Sequence, residues 1–141
     1  MKTLHVESFG IIPLAQSQGI WKVLLILHKE GSHWSFPKGR KNEKNETHIE
    51  AALRELKEET GLDVQQLLQD TPLLESYTFR RQGTIIQKTV HYYPAIVTGE
   101  LNLQEEEIRD ACWLTLDEAM AKLTFKEARS LCRHAMKSLP A

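Results

Sequence analysis

The segment ETHIEAALRELKEETGL at positions 46–62 constrains the fold more than any other stretch, because it writes both ends and both faces of one helix. Thr47 followed three residues later by Glu50 is a capping box, in which hydroxyl and carboxylate satisfy orphaned backbone donors. Gly61 can take the left-handed conformation that stops the helix. Ile49, Ala52, Leu53 and Leu56 share one face, the one expected to be buried. Glu55, Glu58 and Glu59, spaced i, i+3, i+4, fall within roughly a third of the circumference. Ala51 sits one turn above Glu55 on this acidic stripe, where a small residue leaves room for a ligand. Arg54 lies four residues from both Glu50 and Glu58 and can pair with either. Like charges at positions 55 and 59 cost a few tenths of a kcal/mol, so the stripe calls for a cation. Oxygen-only ligands suit Mg²⁺ or Mn²⁺, whereas zinc recruits His or Cys.

Two further Thr-x-x-Glu signatures, Thr115 with Glu118 and Thr124 with Glu127, announce two more helices. The last carries Phe125, Ala128, Leu131, Cys132, Ala135 and Met136 at helical spacing, a stripe that should pack on a sheet. Strands are expected at 6–14 and 21–27, joined by QSQG, at 73–80 and 85–97 around Gln82-Gly83, and at 111–114. Residues 28–45 read as a loop, since Pro37 bars a helix there. Its Trp34 and Phe36, like Trp113, read as packing residues, and Lys38, Arg40, Lys41 and Lys44 beside Gly39 bring positive charge next to the stripe. The order is β, β, helix, β, β, β, helix, helix, an α/β or α+β class with a mixed sheet between helices.

A chain of 141 residues without linker or repeat is expected to be one domain, 1–141. Eighteen Lys and Arg against nineteen Asp and Glu give a formal charge of -1, which argues against binding duplex nucleic acid. Cys112 and Cys132 read as small core residues of a reducing compartment. The apolar run 23–27 is too short to span a bilayer. A soluble, cytoplasmic, monomeric protein without a membrane partner is the expectation.

Segment 39–62 resembles the Nudix box: a glycine, five residues, Glu, seven residues, then Arg-Glu-apolar-x-Glu-Glu-x-Gly-apolar. Every position from Glu46 through Arg54, Glu55, Glu58, Glu59, Gly61 and Leu62 matches, while Gly39 to Glu46 encloses six residues, one more than usual. The flanks SFGIIPL, HWSFPKG, KTVHYYPAIV and CWLTLDEAMAKLTFKEA are similar to the asymmetrical diadenosine tetraphosphate hydrolases. The resemblance implies a mixed sheet sandwiched between helices and a divalent metal, Mg²⁺ or Mn²⁺, on Glu55, Glu58 and Glu59. It implies Glu107, aligned back from Trp113 in the run Glu105 to Glu107, as a further ligand or general base, so that Glu58, Glu59 and Glu107 serve catalysis. His33, Lys38, Lys88 and Tyr92 would contact the polyphosphate, although Tyr92 and Tyr93 alternate faces in a strand and at least one belongs to the core. Tyr77 or Phe79, with Phe125, would stack on adenine; Phe125 stands where some members have Tyr, and Arg40 where the family often has His. The implied activity is metal-dependent hydrolysis of a phosphoanhydride in a small nucleotide, foremost unequal cleavage of diadenosine tetraphosphate to ATP and AMP. An RNA 5′-pyrophosphohydrolase, another nucleoside diphosphate-X hydrolase and a non-catalytic polyphosphate sensor are the alternatives. The complete glutamate set argues against the last.

Overall fold

In a computed structural model, which describes residues 2–140 except Glu30, Ser32 and 42–44, the helix written by the sequence is α1 (His48–Thr60). Lys44 lies outside the described residues. The Thr47 hydroxyl accepts from the Glu50 N–H at 3.1 Å, and the Glu50 carboxylate accepts from the Thr47 N–H at 2.9 Å. Gly61 ends the helix at φ 79, and a Cβ there would come within 3.0 Å of the Asn102 side chain.

Among the described residues, eight strands form one mixed sheet: β1 (Lys2–Ser17), β2 (Ile20–His28), β3 (Trp34–Ser35), β4 (Lys38–Gly39), β5 (Asp63–Leu67), β6 (Leu73–Arg81), β7 (Thr84–Thr98) and β8 (Ile108–Leu114). The main path runs β3-β2-β1-β7-β5, with β8 on β2, β4 on β1 and β6 on β7. β1 and β7 pair in parallel from Lys2↔Thr84 to Leu14↔Ile96; the remaining pairs are antiparallel. The hairpins β1–β2 and β6–β7 turn on Gln18-Gly19 and Gln82-Gly83, all four with positive φ, the two-residue turn whose twist matches the strands.

Both faces of the sheet are covered, which explains the continuous apolar run in β2. Phe9, Ile11, Leu24, Ile26, Tyr93 and Ala95 pack with Ala52 and Leu56 of α1. Ile12, Leu14, Val23, Leu25, Val90 and Tyr92 pack on the other side with α2 (Leu116–Lys122) and α3 (Lys126–Lys137). Trp34 and Trp113 pack against these cores and Phe36 is fully buried.

Four expectations need correction. The strand β5 is not legible, because DVQQL offers only Val64 and Leu67 as apolar residues and its register on β7 shifts between Val64 and Gln66. The loop 28–45 contains β3 and β4; β4 leans on β1 through Phe9↔Gly39 and Gly10↔Lys38, an approach so close that a Cβ on Gly10 would collide with the Pro37 carbonyl. Thr124 does not cap α3: Phe125 is the N-cap residue without a side-chain bond, and Arg129 Nη1 holds the turn before it by donating to the carbonyls of Leu123 and Thr124, at 2.9 and 3.3 Å. Ala51 is fully buried in the α1-side core, so it leaves no room for a ligand.

Candidate active site

Because α1 buries one side against the sheet, its acidic stripe rolls partly inward. Glu59 is only 2% exposed, Glu55 is half-buried and Glu58 is exposed. The stripe forms a polar hollow of about 380 Å³ with Glu107, Gln104, Lys38 and Lys88. Gly39 is required here, since a Cβ would overlap the Glu55 carboxylate. The Lys38 backbone N–H donates to Glu59 Oε1 at 3.2 Å. Burial, with Glu55 next, pushes the Glu59 carboxyl up to about 8, and burial also raises Glu55 against the pull of Arg54.

Arg54 ties the set together differently from the helical-wheel expectation. It donates to Glu46 at 2.7 and 3.2 Å, to Glu55 at 2.9 Å, to Glu58 at 3.1 Å and to the Arg40 carbonyl at 2.7 Å. Glu50 is occupied with the cap, which leaves Glu46, beyond the helix, as the main partner. Glu107 arrives from a turn hung on the end of α1: Asn102 and Gln104 N–H donate to the Thr60 and Glu59 carbonyls, and Lys29 N–H to the Glu107 carbonyl at 2.8 Å. Of the acidic run, Glu107 borders the carboxylate hollow, Glu106 borders only the neighbouring cleft, and Glu105 borders neither.

That cleft, about 850 Å³, adjoins the hollow, and His28, Lys38, Lys88 and Glu107 line both. Its walls carry Tyr77 and Phe79, with ring centres 6.1 Å apart, and Phe125, whose ring lies 4.6 Å from that of His33. Burial and the neighbouring Lys38 push the Lys88 amine down to about 8. The structure thus brings Glu55, Glu58, Glu59 and Glu107 together, and His33, Lys38, Tyr77, Phe79, Lys88 and Phe125 beside them.

Tyr92 is the exception and a correction. It is fully buried, edge-on to Phe36, and its hydroxyl has no hydrogen-bond partner among the described residues, so it does not present itself to a polyphosphate in the cleft. Tyr93 is buried on the opposite face. Two groups were missed by sequence reasoning. His28, at the end of β2, lines both cavities, and burial with Lys38 and Lys88 pushes it down to about 4. Glu75 is 9% exposed on the cleft wall, where burial raises its carboxyl against the pull of Lys38 and Lys88. The signal for Glu75 was available: it shares a β6 face with Tyr77 and Phe79.

The hollow suits a hard divalent cation by its chemistry, since the carboxylates offer oxygen only, and burial, with Glu55 beside it, raises Glu59. Among the described residues no three acidic, thiol or imidazole groups converge to hold an ion as they stand, and Arg54 engages Glu55 and Glu58.

Comparison with known proteins adds a second line. The family model described as the NUDIX domain matches residues 4–134. The chain is similar to bis(5'-nucleosyl)-tetraphosphatase [asymmetrical] of Rattus norvegicus, 35% identical over 127 residues, 85% of this chain and 81% of that protein. It is also similar to mRNA-decapping enzyme subunit 2 of Arabidopsis thaliana, 37% identical over 99 residues, 68% of this chain but only 25% of that longer protein. Among solved structures, a binary complex of Ap4A hydrolase from C. elegans matches with a TM-score of 0.70 at 23% identity, over 94% of this chain and 96% of the other.

Proposed function

The chain belongs to the Nudix family, and from that premise we propose that it hydrolyses a phosphoanhydride bond in dinucleoside tetraphosphates, cutting diadenosine tetraphosphate unequally to ATP and AMP. The observation that carries this reading is the continuity of the carboxylate hollow with an aromatic and basic cleft through Lys38, Lys88 and Glu107. The rat relative, similar over most of both chains, supports the same substrate.

Tyr77 or Phe79, with Phe125, holds one base by stacking, which seats that nucleoside at one end of the cleft. His33, Lys38 and Lys88 contact the phosphates along the way to the hollow, the two lysines offsetting their charge. Glu55, Glu58 and Glu59, with Glu107, would hold Mg²⁺ or Mn²⁺, and the ion would supply countercharge to the phosphate oxygens and acidify an attacking water. Glu107 takes the proton as the water oxygen bonds to phosphorus and the bridging anhydride oxygen departs with the nucleotide. With the base anchored at one end, the water meets the phosphate chain off centre, and the halves are unequal. Alignment, rather than a covalent intermediate, carries the rate.

Product chromatography tests the reading: ATP and AMP in equal amounts, dependent on added Mg²⁺, are expected from diadenosine tetraphosphate. Two ADP would overturn it. So would inertness towards the dinucleotide beside release of pyrophosphate from triphosphorylated RNA, or beside removal of the cap from capped RNA, the outcome the decapping relative brings into the test.

A further inference from the structure

We infer that Glu75 reads the edge of the base held between Tyr77 and Phe125, and that it selects guanine over adenine. The inference rests on the reading of the cleft as a nucleotide site and specifies which base that site prefers. Leu73, Glu75, Tyr77 and Phe79 alternate onto one face of β6, so Glu75 stands one pleat repeat, roughly 7 Å, from Tyr77 on the same wall. Opposite, Arg129 fixes the turn that presents Phe125, and Glu127 follows Phe125 by two residues on the same cleft wall, near enough to Glu75 for the carboxylates to repel each other. Lys38 and Lys88 line both cavities and mark the phosphate end; they favour the ionised form of Glu75 against its burial, which is the larger effect and raises the carboxyl.

Two features make Glu75 a reader and not a strut. It is about nine-tenths buried, and among the described residues no hydrogen bond or close ion pair holds its carboxylate, although it borders the cleft. Its carboxylate oxygens are not among the buried atoms left without a partner, so they open onto the cleft, where a ligand donor can reach them. An ionised carboxylate offers acceptors only. The guanine edge presents N1–H and N2–H side by side and can engage both oxygens. Adenine presents one donor, N6–H, next to the N1 lone pair, which faces a carboxylate unfavourably.

Calorimetric titration of the wild-type protein with GMP and with AMP tests this without turnover. GMP is expected to bind roughly tenfold tighter, the scale of one bidentate base contact. Glu75→Gln replaces one acceptor by a donor and so matches adenine; it should invert the preference, which loss of a merely structural contact would not do. In turnover, the mixed adenosine–guanosine tetraphosphate is an internal competition. One of the product pairs, ATP with GMP or GTP with AMP, should dominate in the wild type, and the other in Glu75→Gln. Equal binding of the two nucleotides, tighter AMP, no binding of either, or a guanine preference unchanged in Glu75→Gln would overturn the inference. If Glu75→Gln does not fold, the wild-type titrations decide. A guanine preference without unequal cleavage of any dinucleoside tetraphosphate would overturn the proposed reaction and leave the base reader standing.

Discussion

Glu105 and Glu107 lie two residues apart in one acidic run, yet their surroundings differ. Glu107 borders the carboxylate hollow and Glu105 does not. Glu107→Gln is therefore expected to lower kcat by about 100-fold or more with little change in KM, the scale of lost general-base catalysis, while Glu105→Gln leaves both near wild type. Steady-state kinetics on both variants checks this, and equal losses would mean that the run acts through diffuse charge. His28 supplies a pH-dependent expectation. Its folded-state value is pushed from 6.5 to about 4, so between those values the unfolded chain binds the proton better than the folded one. Its contribution to stability is present above pH 6.5 and is lost as the pH falls through about 4. Urea unfolding at pH 7 and pH 5 should show a smaller drop for His28→Gln than for the wild type, and the His28 ring should remain neutral at pH 5.5 by NMR.

At the scale of elements, the same Thr-x-x-Glu pattern occurs ahead of all three helices but caps only the first two. Thr47 and Thr115 complete capping boxes, whereas α3 starts at Phe125 without a side-chain cap, and Arg129 reaches back to the Leu123 and Thr124 carbonyls ahead of it. Thr47→Ala should cost about 1 kcal/mol of unfolding free energy. Thr124→Ala, at an exposed residue without a cap bond, should change it by less than about 0.5 kcal/mol. Chemical denaturation of the two variants separates these outcomes. The motif describes a local opportunity that the start of α3 does not take, because its N-cap is Phe125, which offers no side-chain acceptor to the first N–H groups.

For the molecule as a whole, the arrangement that matters is two adjoining cavities with different chemistry. One side of the site comes from α1 and the turn after residue 100, the other from β6 and the α2–α3 junction. Binding of the base and binding of the metal should then be separable. Phe125→Ala is expected to raise KM by roughly 5- to 150-fold through lost stacking, with Mg²⁺ affinity unchanged. Kinetics paired with Mg²⁺ titration by calorimetry would reveal a coupled loss if the two cavities behaved as one.

The sequence determined what repeats at short range: the caps and faces of α1, the Gln-Gly hairpin turns, the strands that alternate strongly, and the gathering of Glu55, Glu58 and Glu59 on one stripe. Each follows from spacings of two to four residues, which bonding geometry fixes before any tertiary contact exists. The tertiary structure decided which of these groups meet water. Parallel pairing of β1 with β7 joins segments about eighty residues apart and, with β6 beside them, builds the cleft floor that buries Tyr92 and lines the wall with Glu75. It also turned Glu59 inward, brought Glu46 to Arg54 from beyond the helix, and set His28 at the junction of both cavities. Burial depends on what covers a residue, and the covering element comes from elsewhere in the chain. No local periodicity carries that information.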